Sequence, residues 1–518
     1  MIITQLNLTD TKGGAAIAAF RLHKGLNKIG QTSYMIVRKK LSSNRKVFQV
    51  ALKESPNNRV KAFLWRKFLQ DQYIALNRTD VSNTVFSLPY PGYDLTKSEI
   101  IRGSDIINLH WIAYFQSIVT LKKLFRTGKP IVWTLHDQWA FSGGCHYSSG
   151  CEQYMDACAA CPQLTTDPFL LPRAVLLDKI EYFKGANLTI VTPGQWLASC
   201  AKKSKLFKDL RVEVIPNSLE TDRFYPISKK DAKKSIGVPE DSLTLLFVAE
   251  IVSEKRKGFT ELLQAIHTCK KDPRFKQLIE KNKIHILSLG ESSAELDRAG
   301  IPVKPLGYLN SKEKIRNAYN AADLYILSSL EDNLPNTMLE AMACATPVVA
   351  FNVGGMPDMI RNEETGALAE NRDPEKLSEA ILGLLFDPGK RERLGKNCRK
   401  LIEEKYALHH QAENYLALYE DLLRQKKPQP IQPGSDQFEK NIAKLDGGLS
   451  ANMRKGFVKA LKRGIVDAFP DHSAVMRLFK NIIKSGIRVT PVFFIILLYR
   501  LLPKKIKNKW LAHLRERV

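Results

Sequence analysis

The chain has 518 residues, of which 44% are hydrophobic and 25% charged, and it carries a formal net charge of +26. This composition is typical of a globular protein, and the length allows two to four domains with well-buried cores. No run of 18 apolar residues occurs, which argues against a membrane-spanning helix. The excess of positive charge predicts an anionic partner, such as nucleic acid, anionic lipid or an acidic substrate.

Residues 1–8 at the amino terminus predict a β-strand. They show no positively charged region ahead of their apolar residues and no small-residue cleavage site, so they do not resemble a signal peptide. We therefore expect a cytoplasmic chain whose eight cysteines are reduced.

A glycine pair, Gly13 and Gly14, separates this strand from a helical pattern. Glycines between a strand and a helix let the backbone approach a ligand closely. A tight turn without any ligand is the alternative.

Two later strands are each predicted to end at a histidine. Residues 105–109 precede His110, and residues 130–135 precede His136. Because ligands bind at the carboxyl ends of the strands in an open parallel sheet, both histidines lie at the correct edge for a site. A histidine that only makes structural hydrogen bonds is the alternative at each position.

Four cysteines lie within a short polar stretch: Cys145, Cys151, Cys158 and Cys161. Their spacing contains one C-x2-C pair, which is half of the usual structural zinc site. Such a zinc ion would be structural, because four thiolate ligands leave no open position for a substrate. Reduced clustered thiols and a redox role are the alternatives.

The second half of the chain opens with a predicted strand at residues 243–249, and a basic turn follows. Arg256 and Lys257 in this turn precede a helical pattern. Positive charge beside a helix start can stabilise a departing diphosphate. A solvated charged turn is the alternative.

The most informative stretch, residues 328–343, follows an apolar strand and predicts a polar turn and then a helix. Pro335 suits the first helical turn, and Asn333 is a candidate cap. The N–H groups at this helix start favour an anionic group such as a diphosphate. Asp332 and Glu340 are suitable acceptors for sugar hydroxyls on either side of it. An ordinary surface helix with an acidic cap is the alternative.

The carboxyl-terminal residues 428–518 begin in a proline-rich linker and contain 18 Lys and Arg against 6 Asp and Glu. Apolar patches flanked by lysines predict a basic, partly apolar helical extension at an anionic membrane surface. A helical cap on the second domain and an RNA-binding tail are the alternatives. No aromatic stacking platform lies among the charges, so we expect no nucleic-acid partner.

Residues 1–425 resemble the retaining GT-B glycosyltransferases of glycosyltransferase family 4, the bacterial surface-polysaccharide type. Asp332 and Glu340 match the two ends of the E-x7-E element, with Asp in place of the usual first Glu. The stretch at residues 216–224 is similar to the connector I-P-N-G-x-D-x-x-x-F, with Ser218 in place of Gly. The shorter first carboxylate leaves the identity of the sugar open.

The resemblance implies an α/β fold of the GT-B type, with two Rossmann-like, doubly wound parallel-sheet domains that face each other across a cleft. Residues 1–225 would form the acceptor-side domain and residues 226–400 the nucleotide-sugar-binding domain. Residues 401–427 would be helices that return to the first domain, and residues 428–518 would be the basic helical extension.

The resemblance also implies roles for the candidate residues. His136 and Asp332 would be catalytic residues at the donor sugar, and His110 would lie on the acceptor side. Arg256 and Lys257 would stabilise the departing diphosphate. The other implied donor-binding residues are Gly13, Gly14, Leu309, Asn333, Leu334, Pro335, Asn336, Thr337 and Glu340. In this set, Leu309 would line the nucleobase and Glu340 would hold the ribose.

The implied reaction is hexosyl transfer from a nucleotide-diphosphate sugar to a hydroxyl of a lipid-linked or polysaccharide acceptor, with retention of configuration, in cell-surface glycan synthesis. No Asp-x-Asp at a strand end indicates a catalytic metal, so catalysis is expected to need no cofactor. The enzyme would be cytoplasmic and peripheral on the inner membrane face. The competing hypotheses are a sugar-nucleotide epimerase or phosphorylase on the same fold, and a non-enzymatic membrane or nucleic-acid binder.

Overall fold

Two parallel β-sheets form the framework of the protein, one in each of two α/β domains. The computed structural model describes residues 1–53, 70, 74–167, 170–291, 293–425 and 442–446. This architecture confirms the predicted fold class.

The first domain contributes nine strands and five helices to the described part of the chain. The strands are β1 (Ile2–Thr9), β2 (Thr32–Lys39), β3 (Val47–Gln49), β4 (Ala51–Lys53), β5 (Gly92–Asp94), β6 (Ile106–Leu109), β7 (Ile131–Thr134), β8 (Leu188–Thr192) and β9 (Val212–Val214). The helices are α1 (Gly14–Lys28), α2 (Glu99–Gly103), α3 (Ile118–Phe125), α4 (Leu171–Phe183) and α5 (Gln195–Lys203). Seven strands form one parallel sheet in the order β3-β2-β1-β6-β7-β8-β9. Within it, Ile3 of β1 pairs with Ser33 on one side and Ile106 on the other.

The second domain repeats this arrangement with six strands. The strands are β10 (Leu243–Ala249), β11 (Ile284–Gly290), β12 (Val303–Gly307), β13 (Leu324–Leu327), β14 (Val348–Phe351) and β15 (Gly366–Ala369). The helices are α6 (Lys229–Ile236), α7 (Phe259–Cys269), α8 (Pro273–Glu280), α9 (Ala294–Asp297), α10 (Lys312–Ala321), α11 (Asn336–Ala343), α12 (Pro374–Leu385) and α13 (Pro388–Lys405). The sheet order β12-β11-β10-β13-β14-β15 is that of a doubly wound dinucleotide-binding sheet.

The central strands are buried and mostly apolar because helices cover both faces of each sheet. In β7, Trp133 packs into one core cluster and Val132 into another on the opposite face. In β13, Tyr325 and Ile326 divide in the same way between two clusters of the second domain. Strands buried on both faces are typical of parallel sheets.

The last long helix, α14 (Leu408–Gln425), packs on the first domain although it follows the second in sequence. Its Tyr415 and Tyr419 hydroxyls lie 2.8 Å from Thr134 Oγ1 and Asn108 Nδ2, respectively. A Cβ at Gly25 of α1 would lie 2.8 Å from the Leu408 carbonyl oxygen, so this close contact requires glycine.

Only residues 442–446 of the predicted helical extension, residues 428–518, lie within the described part of the chain. They form a strand, β16 (Ile442–Asp446), which pairs in parallel with β4 and antiparallel with β5. The prediction of helix is therefore wrong for these five residues, because two neighbouring strands offer them backbone partners. The predicted basic amphipathic segments lie outside the described residues.

Among the described residues, no helix is long and apolar enough to cross a lipid bilayer.

Candidate functional site

The candidate site lies at the point where the strand order of each sheet reverses. There β1 lies between β2 and β6, and β10 lies between β11 and β13. Ligands of open α/β sheets bind outside the carboxyl ends of the strands at such a point. Gly13, His110 and His136 follow the strands of the first domain here, and Arg256 and Asp332 follow those of the second.

Asp332 is a buried carboxylate held by two cations of its own domain. Its Oδ2 lies 2.5 Å from Lys257 Nζ and 3.0 Å from Arg256 Nη1. Burial alone would raise the pKa of Asp332, but the charges of Lys257 and Arg256 outweigh burial and lower this pKa below its ordinary value. Asp332 is therefore ionised at neutral pH.

The sequence predicted that Arg256 and Lys257 bind a phosphate, but in the structure both already pair with Asp332. Besides its contact with Asp332, Arg256 Nε donates to Glu254 Oε1 at 2.9 Å. Lys257 keeps a side chain that is 23% exposed. A lysine has three N–H donors, so Lys257 can bond a phosphate oxygen without releasing Asp332.

The start of α11 differs from the predicted start in one respect. Asn336 is the first helical residue, so Pro335 takes the cap position, and no side chain of the described residues caps this helix. The prediction of Asn333 as the cap is therefore wrong, because the helix begins too far along for its side chain to serve. The amide groups of the first turn remain available to an anion.

The glycine pair contacts this helix start from the other domain. Gly13 has a φ of 91°, in the left-handed region that favours glycine. The Gly14 carbonyl oxygen accepts a hydrogen bond of 2.8 Å from Asn336 Nδ2. Thr337 Oγ1 lies 2.9 Å from the Tyr325 hydroxyl, which fixes its side chain within the second domain. The structure thus brings Gly13 and Gly14 to the residues that sequence reasoning grouped with them.

Glu340 is contacted by a cation of the opposite domain. Arg21 Nη2, on α1, donates to Glu340 Oε1 at 2.7 Å, and Tyr319 OH donates to Glu340 Oε2 at 3.1 Å. Arg21 and Glu340 are 2% and 9% exposed. This ion pair links the two domains at the Glu340 end of the candidate site.

The ion pair continues into Glu220 in the stretch between the domains. Arg21 Nε donates to Glu220 Oε2 at 2.9 Å, and Lys24 and Lys312 donate to Glu220 Oε1 at 2.7 and 2.5 Å. Burial alone would raise the pKa of Glu220, but Arg21 and the two lysines outweigh it and lower this pKa. Three cations therefore surround one connector carboxylate.

The two predicted histidines contact each other, with His110 buried and His136 half-buried. His110 Nδ1 lies 3.1 Å from His136 Nε2, and His110 Nε2 lies 2.8 Å from the side-chain amide of Gln5. Burial lowers the pKa of His136 to about 4, and burial with the neighbouring ring lowers that of His110 too. Both rings are neutral near pH 7. Because both ring nitrogens of His110 are engaged and it is 3% exposed, His110 contacts His136 and does not line an acceptor surface.

Two predicted donor-binding residues point into the core of the second domain. Leu334 is 4% exposed, and its carbonyl oxygen accepts a hydrogen bond from Asn217 Nδ2. Leu309 packs against the same apolar cluster. The buried side chain of Leu334 therefore supports the site from within the core, whereas Leu309 is half-buried and keeps part of its surface exposed.

Four buried polar atoms around Asp332 and Glu340 have no hydrogen-bond partner within the described ranges. They are Arg21 Nη1, Ser329 Oγ, Asn333 Oδ1 and Asn336 Oδ1. The great majority of buried polar atoms in proteins are hydrogen-bonded. Such a concentration of unpaired donors and acceptors is typical of a site for a polar ligand.

The four clustered cysteines are free thiols that lie near one another. Burial raises the pKa of Cys158 to about 12 and that of Cys161 to about 11, and neighbouring thiols add to both effects. Over the residues described, no three His, Cys, Asp or Glu side chains are arranged to hold a metal ion. Structural zinc at Cys145, Cys151, Cys158 and Cys161 stays a prediction.

Sequence reasoning missed two first-domain residues that reach the second domain. Arg21 contacts Glu340, and the Tyr147 hydroxyl donates to Asp332 Oδ1 at 3.2 Å. An arginine on the buried face of α1 was a usable signal for Arg21, because arginine is rarely buried without a partner. Tyr147 lies among the cysteines, and its local sequence carries no such signal.

Residues 228–401 match the family model of the glycosyl transferases group 1. The chain is 23% identical over 435 residues to WcaC of Escherichia coli K12, whose name assigns it to colanic acid biosynthesis as a glycosyl transferase; the match covers 78% of this chain and 98% of that protein. It is 31% identical over 200 residues to the D-inositol 3-phosphate glycosyltransferase of Geodermatophilus obscurus, covering 37% of this chain and 43% of that enzyme.

Solved structures share the two-domain architecture at low identity. Sucrose-phosphate synthase from Thermosynechococcus elongatus matches with a TM-score of 0.55 and 18% identity, over 82% of this chain and all of that chain, 100%. HepE of Anabaena, solved in complex with UDP-glucose, matches with a TM-score of 0.54 and 15% identity. The match covers 81% of this chain and 100% of that chain. The fold is therefore GT-B, and the match to the group 1 glycosyl transferase model lies in its second domain.

Proposed function

We propose that the chain is a glycosyltransferase that moves a hexosyl group from a nucleotide-diphosphate sugar to a hydroxyl of a lipid-linked or polysaccharide acceptor, with retention of configuration, in cell-surface glycan synthesis. One observation carries the proposal: Asp332 and Glu340 flank the start of one helix, with Lys257 and Arg256 beside it. This order of carboxylate, positive charge and carboxylate matches the sugar, diphosphate and ribose of such a donor. The similarity to WcaC supports the glycan assignment.

The diphosphate would lie between the basic turn and the start of α11. Lys257 and Arg256 retain N–H donors beyond those that hold Asp332. The uncapped first turn of α11 adds amide donors and the positive end of the helix dipole. Together these groups would neutralise a diphosphate without a bound cation.

The ribose would be held by Glu340. Arg21 and Tyr319 each occupy one lone-pair position of this carboxylate. A carboxylate has about four such positions, so Glu340 can also accept hydrogen bonds from two ribose hydroxyls. Arg21 would keep the Glu340 carboxylate oriented.

In the proposed reaction, the bond between the anomeric carbon and a diphosphate oxygen breaks, and the acceptor oxygen bonds to the same face of that carbon. The acceptor proton passes to the departing diphosphate. Negative charge grows on that diphosphate, where preorganised cations and helix amides are most effective. Neutral His136 would line the reacting edge from the first domain, with His110 fixing its ring.

The donor site can be tested by thermal unfolding with UDP-, GDP- and ADP-sugars. We expect one of these classes to raise the unfolding temperature, and Glu340→Ala to remove that ligand-induced rise. Glu313→Ala, at an exposed position of α10, is the matched control. A rise that persists unchanged in Glu340→Ala would show that the ribose is held elsewhere.

The reaction class can be tested by release of the nucleoside diphosphate. We expect release to require an added acceptor, because transfer consumes one acceptor hydroxyl for each donor. Conversion of the donor sugar without an acceptor would indicate an epimerase, and dependence on inorganic phosphate would indicate a phosphorylase.

For residues 428–518 we propose binding to an anionic membrane surface, on the basis of their charge and apolar patches. Truncation after residue 446 retains β16 and removes most of this charge. We expect it to abolish sedimentation with anionic vesicles while turnover of a soluble acceptor continues. Equal sedimentation of the truncated and full chains would rule out this proposal.

A further inference from the structure

The cysteine-rich segment, residues 145–161, carries a tyrosine from the first domain to the candidate donor site of the second. We propose that this residue, Tyr147, is a positioning residue that orients Asp332 toward the donor sugar and Arg256 toward its diphosphate. The inference rests on the proposed function, since it names what fixes the geometry of that same site.

Tyr147 contacts both charged partners at once. Its hydroxyl donates to Asp332 Oδ1 at 3.2 Å, while Arg256 Cζ lies 4.3 Å from the centre of its ring. The Trp196 ring stacks on it with a centroid distance of 6.4 Å and an interplanar angle of 11°. Tyr147 is 7% exposed, so these contacts are shielded from water. A cation over an aromatic face gains strength when both are desolvated.

The backbone around Tyr147 is fixed on both sides. Gln163 Nε2 donates to the Tyr147 carbonyl oxygen at 2.8 Å, and the Ser148 amide donates to Gln138 Oε1 at 2.6 Å. One residue further, the Ser149 amide donates to Glu331 Oε2 at 2.9 Å, across the domain boundary. A side chain whose neighbours are all bonded in this way has little freedom to relax. This rigidity is what a positioning role requires.

The residue before Tyr147 connects it to the predicted catalytic histidine. His146 Nδ1 lies 2.6 Å from Asp137 Oδ2, and His146 Nε2 lies 2.9 Å from Ser87 Oγ. Asp137 directly follows His136 in the chain. His136 is thus connected to Asp332 by alternating peptide bonds and hydrogen bonds. The hydrogen bonds join Asp137 to His146 and Tyr147 to Asp332. This connection sets the separation of the two groups proposed to face the sugar from opposite domains.

The Tyr147 hydroxyl donates to the Asp332 oxygen that neither cation contacts. Lys257 and Arg256 both contact Asp332 Oδ2, whereas Oδ1 accepts from the Asn333 amide at 3.0 Å and from Tyr147. Without the hydroxyl, Oδ1 loses its only contact from the first domain among the described residues. The carboxylate plane can then rotate about the fixed Oδ2 contacts.

The inference can be tested with Tyr147→Phe, which keeps the ring over Arg256 and removes only the hydroxyl. We expect kcat to fall about 10- to 100-fold, the effect of one hydrogen bond to a buried charge, with little change in the donor KM. Tyr147→Leu also removes the aromatic face, and we expect it to raise the donor KM as well. Tyr154→Phe is the matched control, because Tyr154 is buried in the same segment and packs against Phe141.

The unfolding temperature of each variant is measured alongside, so that a loss of fold is separated from a loss of positioning. A Tyr147→Phe enzyme with the kcat of Tyr154→Phe would refute the inference while leaving the proposed function intact. A wild-type protein that releases no nucleoside diphosphate with any donor and acceptor would refute the proposed function, and the inference with it.

Discussion

At the Asp332 end of the site the charged contacts come from the same domain, whereas at the Glu340 end they cross from the other domain. Asp332 is paired with Lys257 and Arg256, and the first domain offers it only a neutral tyrosine hydroxyl. Glu340 is paired with Arg21 of the first domain, and its own domain offers the tyrosine hydroxyl.

This reversal gives the two ends different mechanical roles. Separating the domains at the Glu340 end would break the buried ion pair between Arg21 and Glu340, although Arg21 would keep its contact with Glu220 and Glu340 its contact with Tyr319. Separating them at the Asp332 end would break the hydrogen bonds from Tyr147 to Asp332 and from Ser149 to Glu331, and would leave the ion pairs of Asp332 intact. The buried interdomain ion pair thus lies at the Glu340 end, beside Glu220, and we expect the Asp332 end to open more readily for a donor.

The largest expected effect comes from breaking the Glu340 end. Arg21→Met leaves Glu340 and Glu220 buried with fewer cations, so we expect the free energy of unfolding to fall by about 3 to 5 kcal/mol. Denaturant unfolding measures this change. Lys24→Met is the control, because Lys24 is 33% exposed and Glu220 keeps two other cations; we expect it to cost less than about 1 kcal/mol. Equal losses in the two variants would contradict the asymmetry.

Breaking the Asp332 end should act on turnover more than on stability. Asp332→Asn keeps the shape of the side chain and removes its charge, so we expect kcat to fall about 100- to 1,000-fold. Steady-state assays with a saturating donor measure this. Asp297→Asn, at an exposed position of α9, is the control. A variant with wild-type turnover would remove Asp332 from the proposed chemistry.

Lowering the pH should destabilise the fold through His136, the first-domain histidine proposed to face the same sugar as Asp332. Burial lowers the pKa of folded His136 to about 4, so the unfolded chain binds this proton more readily. The contribution of neutral His136 is present above pH 6.5 and is lost as the pH falls toward about 4. We expect His136→Gln to remove up to about 3 kcal/mol of this pH-dependent change. Unfolding curves between these pH values test it, with His267→Gln as the exposed control.

The smallest expected effect follows chelation. Lys257, Arg256 and the start of α11 would neutralise the diphosphate, so we expect EDTA to leave the transfer rate close to that with added Mg²⁺. Initial rates in the two buffers make the comparison. Strict dependence on a divalent cation would mean that these cations serve Asp332 alone.

Much of the fold followed from local patterns in the sequence. The buried strands β6, β7, β13 and β14 are short apolar runs, and the residues that follow them were recognisable as candidate site residues. Apolar runs and the turn residues that follow them are properties of neighbouring residues, so they can be recognised in the sequence without knowledge of the fold. The start of α11 was displaced by only one residue, although its cap was misassigned.

Long-range pairing was not available from the sequence. β16 forms because β4 and β5 leave backbone groups that it can bond, and no local pattern specifies those partners. The same limit applied to His110, whose position at a strand end was recognised but whose burial beneath His136 was not.

By itself the sequence determined two α/β halves and the groups at their strand ends, because strand and helix periods and turn chemistry are encoded locally. The tertiary structure alone decided which charges meet. Arg21 and Glu340 lie 319 residues apart, and Tyr147 and Asp332 lie 185 apart. Such pairs exist only once the two domains have docked, because docking removes water from both partners and leaves each as the other's hydrogen-bonding group.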